Sequence, residues 1–109
     1  FAGAFPTWLT PVQVEIIPIT ERAHEYARQL KAKLDEAGVR SEADYRSEKM
    51  NYKIREAQLQ KIPYMLVVGD KEVENGTVSV RARKESKGGT MSADEFVAQI
   101  LDEIKNKEN

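Results

Sequence analysis

Apolar and polar residues alternate, or repeat at helical spacing, along most of the chain, and the change between these periods predicts its elements. Val12 to Ile19 is rich in β-branched residues and predicts a first strand. Between Ala23 and Ala37, apolar residues recur at helical steps, which indicates an amphipathic helix. Thr20 is suited to cap this helix, and Gly38 to end it in a left-handed turn. Alternation over Val39 to Asp44 then predicts a short second strand.

The second half of the chain predicts a helix, a strand and then a second strand that runs antiparallel to the first. The stretch from Ser47 to Lys61 predicts a second helix, capped by its first residue and ended by Pro63. Met65 to Val68 is apolar throughout, as in a central strand that is covered on both faces. Asn75-Gly76 favours a tight turn, so the alternating stretch from Thr77 to Arg83 should return antiparallel.

The chain closes with a third helix. Ser92 to Glu95 has the pattern of a capping box, and apolar residues at helical spacing follow from Phe96 to Ile104. The predicted order is therefore strand, helix, strand, helix, strand, strand, helix. Because strand–helix–strand units favour parallel pairing, we expect a compact, mostly parallel α/β sheet with helices on both faces.

Composition narrows the class of protein. A chain of 109 residues is enough for one domain with a single core, and 40% hydrophobic with 32% charged residues indicates a globular fold. The absence of cysteine excludes disulfides and thiolate metal ligands, and it suits a reducing compartment. No apolar run approaches the ~18 residues that a membrane span needs, and no signal peptide is visible, so we expect no membrane association.

The basic residues are unevenly distributed. A net charge of −1 argues against a strongly basic nucleic-acid binder. Residues 46–61, however, hold five Lys or Arg against two Glu, and residues 81–87 hold four against one. Basic patches that flank a central strand can steer an anionic ligand locally. A solvated surface of mixed charge would show the same pattern, so both interpretations stay open.

Catalytic and metal-binding signatures are missing, so we expect neither kind of site. His24 is a lone histidine beside the apolar stripe of the first helix, a position typical of a surface or boundary residue. Asp70, Glu72 and Glu74 follow a strand end, where α/β proteins often bind ligands, but they lack a partner base or nucleophile. Neither a Gly-x-Gly-x-x-Gly nor a Walker loop is present. A small α/β enzyme built on these residues is therefore the weakest hypothesis.

RNA binding is a better match for the polar residues around the central strand. Arginine can donate two parallel hydrogen bonds to a guanine edge, and a carboxylate can accept hydrogen bonds from guanine N–H groups. Single-stranded RNA loops expose those edges. Glu72 follows the central strand and Arg81 lies on the outward face of the next one, so a hairpin could bring them together.

Three motifs carry a resemblance to a known family, and the resemblance covers nearly the whole chain, from about Phe1 to Ile104. They read Phe5-Pro6-Thr7-Trp8-Leu9-x-Pro11-Val12-Gln13-Val14, then Glu48-Lys49-Met50-x-Tyr52-Lys53-Ile54-Arg55-Glu56, then Pro63-Tyr64-Met65-Leu66-Val67-Val68-Gly69-Asp70-Lys71-Glu72-Val73-Glu74. This run closely resembles the C-terminal anticodon-binding domain of bacterial-type threonyl-tRNA synthetases, which are class II aminoacyl-tRNA synthetases. The related prolyl, histidyl and glycyl enzymes share the fold and parts of the lead-in, but not this run of motifs.

The resemblance implies a fold, and it implies that catalysis belongs to another domain of the same polypeptide. It implies an α/β domain with a five-stranded mixed, mostly parallel sheet flanked by three helices, whose extra strand falls near Gly88 to Met91. Residues 1–11 would be the linker from the catalytic domain of the same polypeptide, and residues 12–109 the anticodon-binding domain. ATP with magnesium, and the zinc that recognises threonine, would belong to that catalytic domain. This fragment would then be cytoplasmic, hold no cofactor and catalyse nothing.

The resemblance also implies base contacts to the anticodon stem-loop of a threonine tRNA, with no DNA or membrane partner. Glu72 and Arg81 match family positions that contact the second and third anticodon bases, guanine and uracil. A third such position is usually Asn and here is Ser47, which keeps a hydrogen-bonding group but loses the amide fork. A role for this serine as an N-cap alone also stays open.

Basic residues near these positions are candidates for contacts with the RNA backbone. The inference rests on their charge and placement rather than on the motif, and the residues are Lys49, Lys53, Arg55 and Arg83. Arg55 is equally well explained as a structural ion-pair residue. The alternative function is a stand-alone RNA- or protein-binding adaptor that reuses the fold, with Trp8 and the first helix as its contact surface.

Overall fold

The computed structural model describes residues 10–82 and 88–106, and within them it shows five strands and four helices. The strands are β1 (Val14–Pro18), β2 (Ser41–Ala43), β3 (Tyr64–Val68), β4 (Thr77–Ala82) and β5 (Gly89–Ser92). The helices are α1 (Arg22–Glu36), α2 (Met50–Leu59), α3 (Asp70–Asn75) and α4 (Ala93–Lys105). Most of the predicted lead-in, including Trp8, and the backbone candidate Arg83 lie outside the described residues. None of the described helices combines the length and apolar character needed to cross a bilayer.

The strands form one mixed sheet in the order β2-β1-β3-β4-β5. β1 pairs in parallel with β2 and β3, whereas β4 pairs antiparallel with β3 and β5. Parallel pairing follows α1 and α2, because each provides a crossover long enough to return the chain to the same end of the sheet. The five-stranded mixed sheet is confirmed, with parallel and antiparallel pairings in equal number rather than a parallel majority.

The two faces of the sheet bury separate apolar clusters, as predicted from the alternating strands. One face packs against α1 and α4, and its large buried side chains include Leu34, Leu66 and Phe96. On the other face, α2 contributes Ile54 and Ala57, which meet Ile17, Met65 and Val67. No member of this second cluster comes from β4 or β5 in the described part of the chain, so that half of the face has no apolar cover.

The uncovered half of the sheet face is polar. Residues paired directly across antiparallel strands share a face, and here Arg81 is opposite Met65 while Ser79 is opposite both Val67 and Thr90. Arg81 and Thr90 are exposed. Arg81 points away from the face that carries buried Val78 and Val80, which confirms its predicted outward position, and Ser79 shares its face.

α3 replaces the predicted hairpin turn. Gly76 does adopt a left-handed conformation, at φ 67°, but it ends a six-residue helix instead of joining two strands. At the start of this helix, the Glu72 carboxylate accepts the N–H of Gly69 at 2.7 Å. Val73 packs against the apolar cluster between the sheet and helices α1 and α4. The antiparallel return of β4 is confirmed, but the tight turn is wrong, and the fold has four helices rather than three.

The start of α2 also differs from the prediction. The helix begins at Met50 with Lys49 as its N-cap residue, so the assignment of Ser47 as the cap is wrong. At the start of α1 the N-cap residue is Glu21, one position after the predicted Thr20, but the Thr20 hydroxyl still accepts the Ala23 N–H at 3.3 Å. β5 confirms the extra strand implied by the resemblance.

Candidate nucleic-acid interface

The carboxyl ends of the parallel strands meet at one edge of the sheet. From β1 the chain passes to β2 on one side and then returns to β3 on the other, so the strand order reverses at β1. Open α/β sheets bind ligands at such a switch point. Ser47 and Lys49 lie in the loop after β2, and Glu72 lies in the helix after β3, so three of the predicted site residues are at this edge.

A cleft of about 380 Å³ opens at the same edge, between the start of α1 and the loop that joins β2 to α2. Ser47 and Lys49 line it, together with Thr20, His24 and Tyr45. Ser47 and Lys49 are both exposed. The cleft therefore offers a hydroxyl and a cation next to two aromatic rings.

Glu72 is held by the backbone. One of its carboxylate oxygens accepts the Gly69 N–H at 2.7 Å, which caps α3. Nearby, the Tyr26 hydroxyl donates to the carbonyl of Thr77 at 2.8 Å, and burial followed by the charge of Glu72 raises the pKa of this tyrosine. The Glu72 carboxylate is thus fixed in position and only partly buried, with its second oxygen as a further acceptor.

The structure does not bring Glu72 and Arg81 together. Glu72 bonds to Gly69, just beyond the carboxyl end of β3, whereas Arg81 is paired with Met65 near the start of that strand. Four residue steps of extended chain, from Met65 to Gly69, separate these two points by roughly 13 Å along the strand. The juxtaposition expected from a hairpin is therefore wrong, because α3 intervenes between the strands.

Lys53 is buried rather than presented to solvent. Its side chain is 3% exposed, and its ammonium donates to the carbonyls of Pro18 at 3.3 Å and Asp44 at 3.0 Å. These bonds join α2 to the ends of β1 and β2. Such a position does not favour a contact with RNA phosphates, because the side chain is buried and backbone carbonyls already accept two of its three N–H groups, although Lys53 also borders the cleft beside Ser47. Helical periodicity counts any lysine as polar and therefore missed this role.

The other cations differ in their availability. Within residues 10–82 and 88–106, the structure shows no ion pair for Lys49, Arg55 or Arg81, and all three are exposed. Their charges are available to a ligand on this part of the surface, and the predicted contacts with RNA stay predictions.

Arg46 anchors the loop that carries Ser47, a role that the sequence did not reveal. Its guanidinium donates through two nitrogens to Asp44, at 2.9 and 2.7 Å, and to Glu56 at 2.6 Å. It also lies 5.7 Å from the centroid of the Tyr52 ring. The side-chain hydrogen bonds from Arg46 lower the pKa of Asp44. One of the five basic residues in this stretch is therefore already neutralised within the fold.

Carboxylates crowd the sheet face under α2. Glu15 is adjacent to Glu42 across the parallel pair of β1 and β2. Burial, and then the charges of Glu42 and Asp44, raise the pKa of Glu15 to about 7. The nearby Arg46 opposes this shift without cancelling it. Among the described residues, no group of three His, Cys, Asp or Glu side chains is arranged to hold a metal ion.

The burial of Lys53 predicts a structural role that can be separated from RNA binding. Lys53→Met should lower the free energy of unfolding by about 1–3 kcal/mol, because two carbonyl acceptors lose their donor. Lys49→Met, the exposed control nearby, should change it by no more than about 0.5 kcal/mol. Urea denaturation measures both values. A Lys53→Met variant of unchanged stability but weaker RNA binding would restore this lysine as a phosphate contact.

The raised pKa of Glu15 predicts a stability that depends on pH. Because the folded-state pKa of about 7 exceeds the ordinary value of 4.5, the contribution of Glu15 is fully present below pH 4.5 and is lost as the pH rises through about 7. Glu15→Gln should remove this slope and stabilise the chain near pH 8 by about 1–2 kcal/mol, a value discounted for partial exposure.

The measurement for Glu15 is the free energy of unfolding across that pH window. The matched control is Glu36→Gln, which removes an exposed carboxyl from α1 and should leave the slope in place. Equal slopes for the wild-type chain and Glu15→Gln would contradict the assignment.

Comparison with known proteins identifies the family to which the chain belongs. The profile of the family described as "anticodon binding domain" matches residues 13–103. The threonine–tRNA ligase of Acetivibrio thermocellus is 61% identical over 109 residues, which is 100% of this chain and 17% of that ligase. The ligase of Syntrophomonas wolfei is 62% identical over 107 residues, or 98% of this chain and 17% of its own length. The chain thus spans about a sixth of the relatives that it matches.

Solved structures show the same fold. The RNA-binding domain of threonyl-tRNA synthetase from Cryptosporidium parvum superposes with a TM-score of 0.87 at 31% identity, over 93% of this chain and 26% of that one. Prolyl-tRNA synthetase from the same organism gives 0.84 at 25% identity, over 95% of this chain and 23% of that one. Identity to the ligases confirms the resemblance seen in the motifs, and the match over residues 13–103 shows that the chain belongs to the anticodon-binding domain family.

Proposed function

We propose that this chain is the anticodon-recognition module of a threonyl-tRNA synthetase and binds the anticodon loop of a threonine tRNA. The observation that carries the proposal is 61% identity to a threonine–tRNA ligase over the whole length of the chain. Joining of threonine to the tRNA, with its ATP and zinc, is assigned to the rest of such a synthetase. The module would act in the cytoplasm, where translation takes place.

The open half of the sheet face supports contact with RNA. Arg81 is exposed on β4, and hydroxyl side chains from Ser79 and Thr90 share its face. A guanidinium can donate two parallel hydrogen bonds to a guanine edge, and unpaired loop bases present such edges. This face therefore suits the reading of an anticodon base by Arg81.

The separation of the three proposed base contacts suits successive nucleotides rather than one shared base. Glu72 and Ser47 lie at the carboxyl edge of the parallel strands, whereas Arg81 lies along β4, roughly 13 Å from the Gly69 position that anchors Glu72. The free carboxylate oxygen of Glu72 can accept an N–H from guanine or uracil. The Ser47 hydroxyl can make one such bond, without the two-pronged geometry of an amide.

Two exposed cations, Lys49 and Arg55, are the candidates for contacts with the RNA backbone. Lys49 lines the cleft beside Ser47, and Arg55 is exposed on α2. Each neutralised phosphate of a single strand steepens the dependence of log affinity on log salt by roughly 0.7. Binding should therefore weaken measurably as the salt concentration rises.

Titration with two stem-loops tests the proposal. The wild-type chain should bind a threonine anticodon stem-loop more tightly than one with a changed middle base. Arg81→Ala should weaken binding by about 1–3 kcal/mol and reduce the discrimination at one anticodon base, because the bidentate contact is lost. Fluorescence anisotropy at several salt concentrations measures both quantities.

Two variants serve as controls for this titration. Arg81→Lys keeps the charge and should keep the salt dependence while losing base discrimination. Lys33→Ala removes a cation from α1, on the opposite face of the sheet, and should leave both quantities unchanged. Equal binding of the two stem-loops by the wild-type chain would contradict anticodon recognition. Unchanged affinity and preference in Arg81→Ala would contradict only the role of this arginine.

A further inference from the structure

Two aromatic side chains meet at the cleft beside Ser47. The rings of His24 and Tyr45 are 5.4 Å apart between centroids and inclined by 66°, which is an edge-to-face arrangement. They come from different elements, since His24 lies in α1 and Tyr45 lies in the loop after β2. Tyr45 is 36% exposed although it is a large aromatic residue. Neither ring belongs to the motifs that define the family resemblance.

The surroundings of the two rings combine cations and carboxylates. The guanidinium carbon of Arg28 is 5.4 Å from the centroid of the Tyr45 ring, and Lys49 lines the same cleft. Glu21 and Glu48 line it as well. Carboxylates disfavour a free phosphate here, but they can accept the amino or imino hydrogens of a nucleobase. The chemistry of the cleft therefore matches a base better than an isolated anion.

An exposed aromatic ring next to a nucleic-acid contact is a stacking surface. Every base has an aromatic face, so unpaired bases of single-stranded RNA stack on Tyr and His side chains regardless of sequence. In an edge-to-face pair the edge of one ring covers one face of the other, and Arg28 lies over one side of the Tyr45 ring, so the exposed part of Tyr45 is the surface that remains for a base. Tyr45 precedes Ser47 by two residues, so their backbones lie within about 7 Å of each other. A nucleotide that meets Ser47 would place a neighbouring base within reach of the rings.

We propose that Tyr45 and His24 form a stacking site for one unpaired base of the bound RNA loop, in the cleft beside Ser47. This inference rests on the proposed function and adds an affinity-determining contact to the same interface. The ligand is a nucleobase of single-stranded RNA, recognised by its flat face and held close to Lys49. The site contributes to affinity rather than to base identity, because stacking tolerates any base.

Variants of Tyr45 test the stacking site with the threonine anticodon stem-loop as the probe. Tyr45→Ala should weaken binding by about 5-fold to 100-fold, the loss that accompanies removal of one base stack. The matched control Tyr45→Phe keeps the ring and should bind within about twofold of wild type, since stacking needs no hydroxyl. Tyr45→Leu keeps apolar bulk without a ring and should bind more weakly than Tyr45→Phe. Circular dichroism verifies that each variant is folded.

A set of abasic RNAs locates the stacked base. Each loop nucleotide in turn is replaced by an abasic one, and the ratio of wild-type to Tyr45→Ala affinity is measured for every RNA. The ratio should fall to about one at a single position, because the ring has no base to stack on there. A ratio that never falls, or a Tyr45→Ala variant that binds the intact loop like wild type, overturns the proposal.

These outcomes also separate this inference from the proposed function. Loss of affinity in Arg81→Ala with no loss in Tyr45→Ala refutes the stacking site and leaves anticodon recognition standing. A wild-type chain that does not bind the stem-loop refutes both. An equal loss in Tyr45→Ala and Tyr45→Phe assigns the effect to the hydroxyl and overturns stacking.

Discussion

The buried ammonium of Lys53 links the elements on which the candidate interface depends. It donates to carbonyls at the ends of β1 and β2 from the side of α2, and so it ties a helix to two strand termini at once. A buried charge is tolerated only where hydrogen bonds replace the lost water. Arg46 adds an outer layer by joining Asp44 to Glu56. Between them these two cations hold the loop that presents Tyr45 and Ser47.

The mixed sheet divides the interface into two kinds of surface. The parallel half gathers the loops after β1 and β2 and the start of α3 at one edge, where the cleft forms. In the antiparallel half, no described apolar side chain of the second cluster covers β4 and β5 on the α2 side, and Arg81 lies on this polar part of the face. An RNA loop that contacts both surfaces would place different nucleotides on each of them. Burial, and then the neighbouring carboxylates, raise the pKa of Glu15 on this side of the sheet, so its ionisation costs stability at neutral pH.

Much of the fold could be predicted from residue patterns. The strands β1 and β3 and the helices α1 and α4 were recognisable because each buries a continuous apolar face, which leaves a period in the sequence. The family followed from three motifs, and the comparisons confirm it. β5 is Gly-Thr-Met-Ser and carries no clear alternation, so only the resemblance implied it. α3 is too short to show a stripe, and its cap on Gly69 was not recognised.

The sequence by itself determined which residues are apolar, where helices and strands alternate, and which family motifs are present. Only the tertiary structure decided which polar residues find partners inside the fold. The Lys53 ammonium is buried, where it donates to a carbonyl at the end of a strand. Ser47 lies in a loop that Arg46 holds through its ion pairs, and α2 begins only at Met50. Glu72 and Arg81 were separated by α3. The physical reason is that apolar periodicity is a local property, whereas hydrogen bonds and ion pairs join residues that are distant in the chain.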